Sequence, residues 1–201
     1  MLREPGHDWQ VQDLAEAAGV SVGLAHRVLA RVEEEGVVSA EGGGHDRVRR
    51  VTNPAALLDL WAEENVDRPL RTLAHVLART PKQLLNELGG NLTRGHVDYA
   101  LTGAAGGSLV APFISAVPVA ELWVPAGASP EQLYAASGAD PVTDGQNVVF
   151  LQGRDDSPLA FREQIDDLWV ANRFRLYVDL RRAPRRGREQ ADHLRREVIG
   201  F

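Results

Sequence analysis

Leu14-Ala15-Glu16-Ala17-Ala18-Gly19-Val20-Ser21 is the stretch on which the reading of this chain turns. Val11, Leu14, Ala15 and Ala18 recur at helical spacing, and Gly19 stops that helix where a left-handed residue is needed. Ser21 carries a side-chain oxygen suited to cap a second helix. Along it Ala25, Leu29 and Val32, with Val28 alongside, make one buried stripe. Gly36 ends this helix, and Val37-Val38-Ser39 and Val48-Arg49-Arg50-Val51 read as two short strands around Gly42-Gly43-Gly44, a hairpin signal. Residues 9–53 thus run helix, tight turn, helix, hairpin.

That order is the one of a winged helix-turn-helix, and the opening string resembles a bacterial pattern of Leu-Ala, a few residues, then Gly-Val-Ser. Arg27, Leu29, Val32 and Gly36-Val37-Val38 stand where that pattern has an arginine, two core aliphatics and the start of the wing. The arrangement normally opens with one more helix, of which Met1-Leu2-Arg3-Glu4 supplies only a last turn. Either the chain starts inside that helix or another segment completes the core.

With Ala25, Leu29 and Val32 inward, Ser21, Gly23, His26, Arg27 and Arg31 turn outward, mostly in the half of the helix that such motifs insert into the major groove. Ser21 and the free N–H groups beside it suit a phosphate oxygen. Arg27 suits a guanine edge or a phosphate, and His26 can donate or accept. The competing reading is a solvated face with Arg27 paired to a glutamate. His45, Arg47, Arg49 and Arg50 cluster at and after the hairpin tip, within reach of adjacent phosphates or the minor groove. Strand alternation forbids Arg49 and Arg50 from facing one side, so one of them is expected to be structural. A solvated charged face is again the alternative.

The net charge of −6 argues against a wholesale nucleic-acid coater but leaves room for a local basic face. Residues 1–53 hold nine acids against six arginines, the acids largely at Glu33-Glu34-Glu35 and near the start, which the reading puts away from the contact face. Two copies on an inverted-repeat operator fit that balance. Charged residues at 25% and hydrophobic ones at 44% are ordinary for a globular chain. No apolar run approaches the roughly 20 residues that span a bilayer, and Met1 to Gln10 lacks the pattern of a signal peptide. There is no cysteine, and the six histidines lack metal-ligand spacing. The expectation is a cytoplasmic protein with no membrane contact, no metal and no cofactor.

Pro54 opens a helix with Leu57, Leu58, Leu60 and Trp61 as its apolar side, and a looser stretch follows to about residue 79. Thr80-Pro81 begins another helix, running with Leu84, Leu85 and Leu88 to Gly89-Gly90. The expected division is a winged helix-turn-helix over 1–65, a connecting segment over 66–79 and a second domain over 80–201. In that domain strands at 99–101, 117–124, 147–151 and 168–171 alternate with helices at 103–115, 129–136 and 187–199. This predicts an α/β layer structure, α+β in the whole chain. Residues 174–180 alternate like a strand, while Asn172 caps a helix; the helix is the preferred reading.

Gly106-Gly107-Ser108, then twelve residues, then Glu121 in Val119-Ala120-Glu121-Leu122-Trp123-Val124 is similar to a worn nucleotidyltransferase signature. There a Gly-Ser turn holds triphosphate and two alternate carboxylates on a strand share a divalent ion with it. Here Val119 and Trp123 take the alternate places, leaving Gly107, Ser108 and Glu121 as a degenerate nucleotide site or a plain packing turn. The tail carries Arg181, Arg182, Arg185, Arg186 and Arg188, with Arg195 and Arg196 further on and Asp179, Glu189, Asp192 and Glu197 interspersed. This is a basic patch for a partner or nucleic acid, or an exposed helix with internal pairs. Neither a Gly-x-Ser-x-Gly elbow nor a Walker loop is present.

Beyond the helix-turn-helix, four stretches resemble the AbiEi-like antitoxins of type IV toxin–antitoxin systems. They are Leu57-Leu58-Asp59-Leu60-Trp61-Ala62, Tyr99-Ala100-Leu101-Thr102-Gly103-Ala104-Ala105, Asn147-Val148-Val149-Phe150-Leu151, and Leu176-Tyr177-Val178-Asp179-Leu180-Arg181 with Arg185-Arg186-Gly187. The resemblance implies a non-enzymatic transcriptional regulator that represses its own operon. It also implies a C-terminal domain of nucleotidyltransferase-derived fold that counters a nucleotidyltransferase-type toxin, or the toxin's target, without stable binding. The alternatives are a stand-alone winged-helix transcription factor whose second domain senses a ligand or dimerises, and a nucleotidyltransferase enzyme with a DNA-targeting module.

Overall fold

The computed structural model describes residues 1–65, 68–113, 119–184 and 186–201, and of His45 the backbone alone. The chain divides into two compact units, Met1–Glu64 with Phe201, and Asn65–Gly200.

In the first unit α1 (Val11–Ala18) closes on Gly19, whose φ of +64° is the left-handed conformation that lets its N–H turn back to the carbonyls of Ala15 and Glu16. The chain re-enters a helix at once. Ser21 Oγ accepts from the Leu24 N–H at 3.2 Å and starts α2 (Val22–Glu34). Then β1 (Val38–Glu41) and β2 (Val48–Val51) pair antiparallel with Val38 opposite Val51. Gly42, at φ +80°, passes so near the Asp46 carbonyl that a Cβ would come within 2.8 Å of it. α3 (Pro54–Glu64) follows, with Asn53 Oδ1 accepting from the Ala56 N–H.

Leu29, Val32, Val37, Val38, Val51 and Leu57 form the core of this unit. Met1 and Leu2 pack against it from a stretch of turns rather than from a helix, and Leu60 of α3 packs there too. Trp9 pairs through its backbone with Arg49, adding an isolated bridge beside β2. Ala25, Leu29 and Val32 are buried as the spacing predicts, but Val28 is 48% exposed. At about 100° per residue it stands some 60° to the side of Ala25, outside the narrow stripe that meets the core.

The second unit is a mixed sheet with helices. Its elements are β3 (Leu70–His75), α4 (Pro81–Arg94), β4 (Ala100–Thr102), α5 (Gly103–Val110), β5 (Ala120–Val124), α6 (Pro130–Ser137), β6 (Asp140–Pro141), β7 (Val148–Gln152), β8 (Glu163–Ile165), β9 (Leu168–Val170), α7 (Arg173–Arg182) and α8 (Gly187–Leu194). One π-helical turn, Arg195–Ile199, follows α8. The sheet order is β6-β3-β7-β5-β4-β9-β8. β5 and β7 are parallel, as are β4 and β9, while β3–β6, β3–β7, β4–β5 and β8–β9 are antiparallel. The unit is therefore mixed α+β and not a parallel crossover fold.

Several expectations are corrected here. The segment 66–79 is not a connector over its described part, because β3 lies within it and its Leu70–Ala74 ladder on β7 makes it an inner strand; Val66 and Asp67 lie outside the described residues. α4 continues through Gly89-Gly90 to Arg94, because Leu168 and the Tyr99 hydroxyl fill the space a Cβ at Gly89 would need. α5 stops at Val110, short of the 103–115 expected. Ile114 and Ser115, and the first residues 117–118 of the next expected strand, lie outside the described residues. Residues 174–180 are helical, with Asn172 Oδ1 accepting from the N–H groups of Phe174 and Arg175. Among the described residues no helix is long and apolar enough to cross a membrane.

Candidate functional site

The outward surface of α2 follows from which of its residues the core takes. Ser21, Gly23, His26 and Arg27 are all exposed, opposite or beside the buried stripe. Gly23 leaves open space one turn before Arg27; a Cβ there would lie 4.0 Å from Arg27 Nη1. Arg27 and His26 have no hydrogen-bonding or ionic partner among the described residues, so both offer donors to solvent or to a ligand. Val20, Val22, Leu24 and Val28 add exposed apolar surface around the same helix end.

The other predicted cations are engaged. Arg31 donates to Glu64 at 2.8 Å and pairs with Glu35 one turn on. Those two carboxylates, Glu64 first, raise its already high pKa. Arg47 donates to Glu33 at 3.0 Å. Arg49, 4% exposed, donates from Nε to the same carboxylate at 3.3 Å and cannot reach DNA as a free cation. Arg50 on the other face is exposed and forks onto Asp8 at 2.8 and 2.7 Å. The hydrogen bond from Arg50 holds the Asp8 carboxyl below its ordinary value. Of the Arg49–Arg50 pair, Arg49 is thus the structural one. Glu33 and Glu35 do not stand clear of the basic residues; they neutralise three of them. The His45 side chain lies outside the described residues.

A second cluster of polar groups, which periodicity did not single out, lies in the second unit. Asp179 of α7 accepts from Thr102 Oγ1 at 2.6 Å, Trp123 Nε1 at 2.7 Å and Arg175 Nε at 3.0 Å. Arg175 is 6% exposed and its guanidinium stacks 4.4 Å over the Trp123 ring. Glu121, opposite Thr102 in the β4–β5 register, accepts from Arg71 of β3 at 3.0 Å. These groups border a cleft of about 170 Å³ whose rim includes Arg182. The helical period makes Arg175 and Asp179 neighbours on α7, but nothing local shows that β3, β4 and β5 converge on them.

The Gly-Ser signature is not a phosphate-binding turn. Gly106 and Gly107 are buried inside α5, where a Cβ would strike the Leu101 carbonyl or the Gln190 carboxamide, and Ser108 Oγ donates to the Ala105 carbonyl. Glycine is needed there for close packing. In the tail Arg186 pairs with Glu189 and lies 4.9 Å over the Phe113 ring, and Arg181 approaches Asp192 at 4.0 Å and covers Tyr177. Arg182 and Arg188 are exposed without an acidic partner among the described residues; Arg185 lies outside them. No group of three metal-ligating side chains occurs among the described residues. Comparison with family models, curated proteins and solved structures gives no match to the chain.

Proposed function

We propose that this chain is a sequence-specific DNA-binding regulator whose α1–Gly19–α2 pair acts as a helix-turn-helix, with the β1–β2 hairpin as its wing. One observation carries the reading: the N-terminal half of α2 exposes Ser21, Gly23, His26 and Arg27 together, and Arg27 has no acid on it among the described residues. A capped helix end with free N–H groups, a serine hydroxyl and a guanidinium suits a phosphate beside a base edge. Arg47 and Arg50 at the hairpin are half-exposed and can trade their surface carboxylates for phosphates, since exposed ion pairs are weak. Arg31 serves at the rim in the same way.

The likeness to AbiEi-like antitoxins extends this to autorepression at an inverted-repeat operator, with two copies bound, and to a second unit derived from a nucleotidyltransferase fold without its catalysis. Glu121 is the lone carboxylate on its strand, which fits that last point. The test is footprinting on the DNA upstream of the chain's own gene, then titration of Arg27→Ala at fixed salt. The variant is expected to lose about 1–3 kcal/mol of site affinity; unchanged affinity in a folded variant removes Arg27 from the interface and the helix-turn-helix reading with it.

A further inference from the structure

We propose that the cleft among β3, β4, β5 and α7 binds a small oxyanion, the phosphate of a monoester or the carboxylate of an organic acid. Its charges are unequal in what they have left to offer. Asp179 is filled by Thr102, Trp123 and Arg175, and Arg175 is stacked on Trp123, so these four form the wall. Arg71 engages Glu121 through Nη2 and its side chain stays 51% exposed, leaving the rest of the guanidinium fork open. Arg182 lines the same cleft, exposed and with no acid on it among the described residues. Among the described residues, three guanidiniums against two carboxylates leave one positive charge for an occupant to meet.

Arginine forks match carboxylate and phosphate geometry. The volume of about 170 Å³ falls below the roughly 300–1,000 Å³ of pockets for drug-sized ligands, so the occupant is small. Among the described residues Glu121 has no second free carboxylate beside it to share a divalent ion, because Asp179 is spent on its three donors. The anion is therefore held directly by guanidinium and not through a metal. Binding here needs no DNA, so its failure leaves the helix-turn-helix reading untouched, and the reverse holds as well.

The experiment is calorimetric titration of the full chain in chloride buffer without magnesium, using inorganic phosphate, glycerol 3-phosphate and benzoate as probes. Saturable binding of at least one probe is expected. Arg182→Ala weakens it by about tenfold or more, the worth of one charge-assisted contact. Arg71→Ala weakens it in the same direction. Arg188→Ala removes an equal charge outside the cleft and leaves binding within about twofold. Preference for glycerol 3-phosphate over benzoate assigns a phosphate ligand, and the reverse order a carboxylate. The proposal is overturned by an absence of saturable binding up to about ten millimolar, by an unchanged Arg182→Ala, by equal losses in Arg182→Ala and Arg188→Ala, or by binding that requires magnesium and a nucleoside triphosphate.

Discussion

Glu33 takes Arg47 at 3.0 Å and Arg49 at 3.3 Å, and the two arginines fare differently because their surroundings differ. Arg49 is buried, so removing its counter-charge leaves a cation without solvent; Arg47 is 45% exposed, so water or phosphate can replace the carboxylate. Asp8 and Arg50 make the corresponding pair on the opposite strand face, half-exposed and bidentate. The hydrogen bond from Arg50 depresses the Asp8 pKa, so this pair stabilises the folded chain at pH above the ordinary 3.8 and loses that contribution as pH falls through the lower, folded value. Arg50→Ala should move the Asp8 carboxyl midpoint up toward 3.8 in an NMR titration. A midpoint that stays put would mean the fork does not persist in solution.

α5 shows how a helix can be selected by contact against its own propensity. Gly106 and Gly107, inside its eight residues, are poor helix formers, each costing about 1 kcal/mol relative to alanine. They are kept because neighbours arrive where a side chain would stand. At Gly106 a Cβ would fall 2.7 Å from the Leu101 carbonyl oxygen and 3.0 Å from Leu176 Cδ1. Gly106→Ala is therefore expected to lower stability by about 1–3 kcal/mol in urea denaturation, overpacking outweighing the gain in propensity. Gly127→Ala, with nothing within 4 Å of its new Cβ, is the control and should be near neutral. A stabilised Gly106→Ala would show that the α5 contact is looser than described. α7 makes the complementary case: Phe174, Leu176, Val178 and Leu180 alternate like a strand, yet Arg175 and Tyr177 between them are buried too, and the Asn172 cap on the N–H groups of Phe174 and Arg175 starts a helix there.

For the chain as a whole, the proposed DNA-reading surface belongs to the unit Met1–Glu64 and the cleft to the unit Asn65–Gly200. Every described partner of Glu121 belongs to the second unit. Glu121→Gln should consequently leave affinity for the proposed operator within about twofold, inside the roughly 0.5 kcal/mol expected of sites that share no partner. A large loss in a folded variant would reveal coupling between cleft and DNA. The first unit was nearly all legible because its signals are local: a glycine at left-handed φ, a serine cap three residues before its donor, an apolar stripe one turn apart. The arginines beside it were not. Whether Arg47, Arg49 and Arg50 are free or held depends on where Glu33 and Asp8 come to rest, 14 to 42 residues away along the chain.

Local backbone chemistry in the sequence was enough for where most helices start, for their caps, the hairpin and an exposed Arg27, since each depends on residues within a turn or two; it was not enough for where α4 and α5 end. Long-range pairing had to supply the rest: β3 as an inner strand, the burial of Arg49, and the meeting of Arg71, Glu121, Arg175 and Asp179 around one cleft. Side chains fifty or more residues apart come together through strand register and helix packing, and a pattern read along the chain carries no record of which strands will lie side by side.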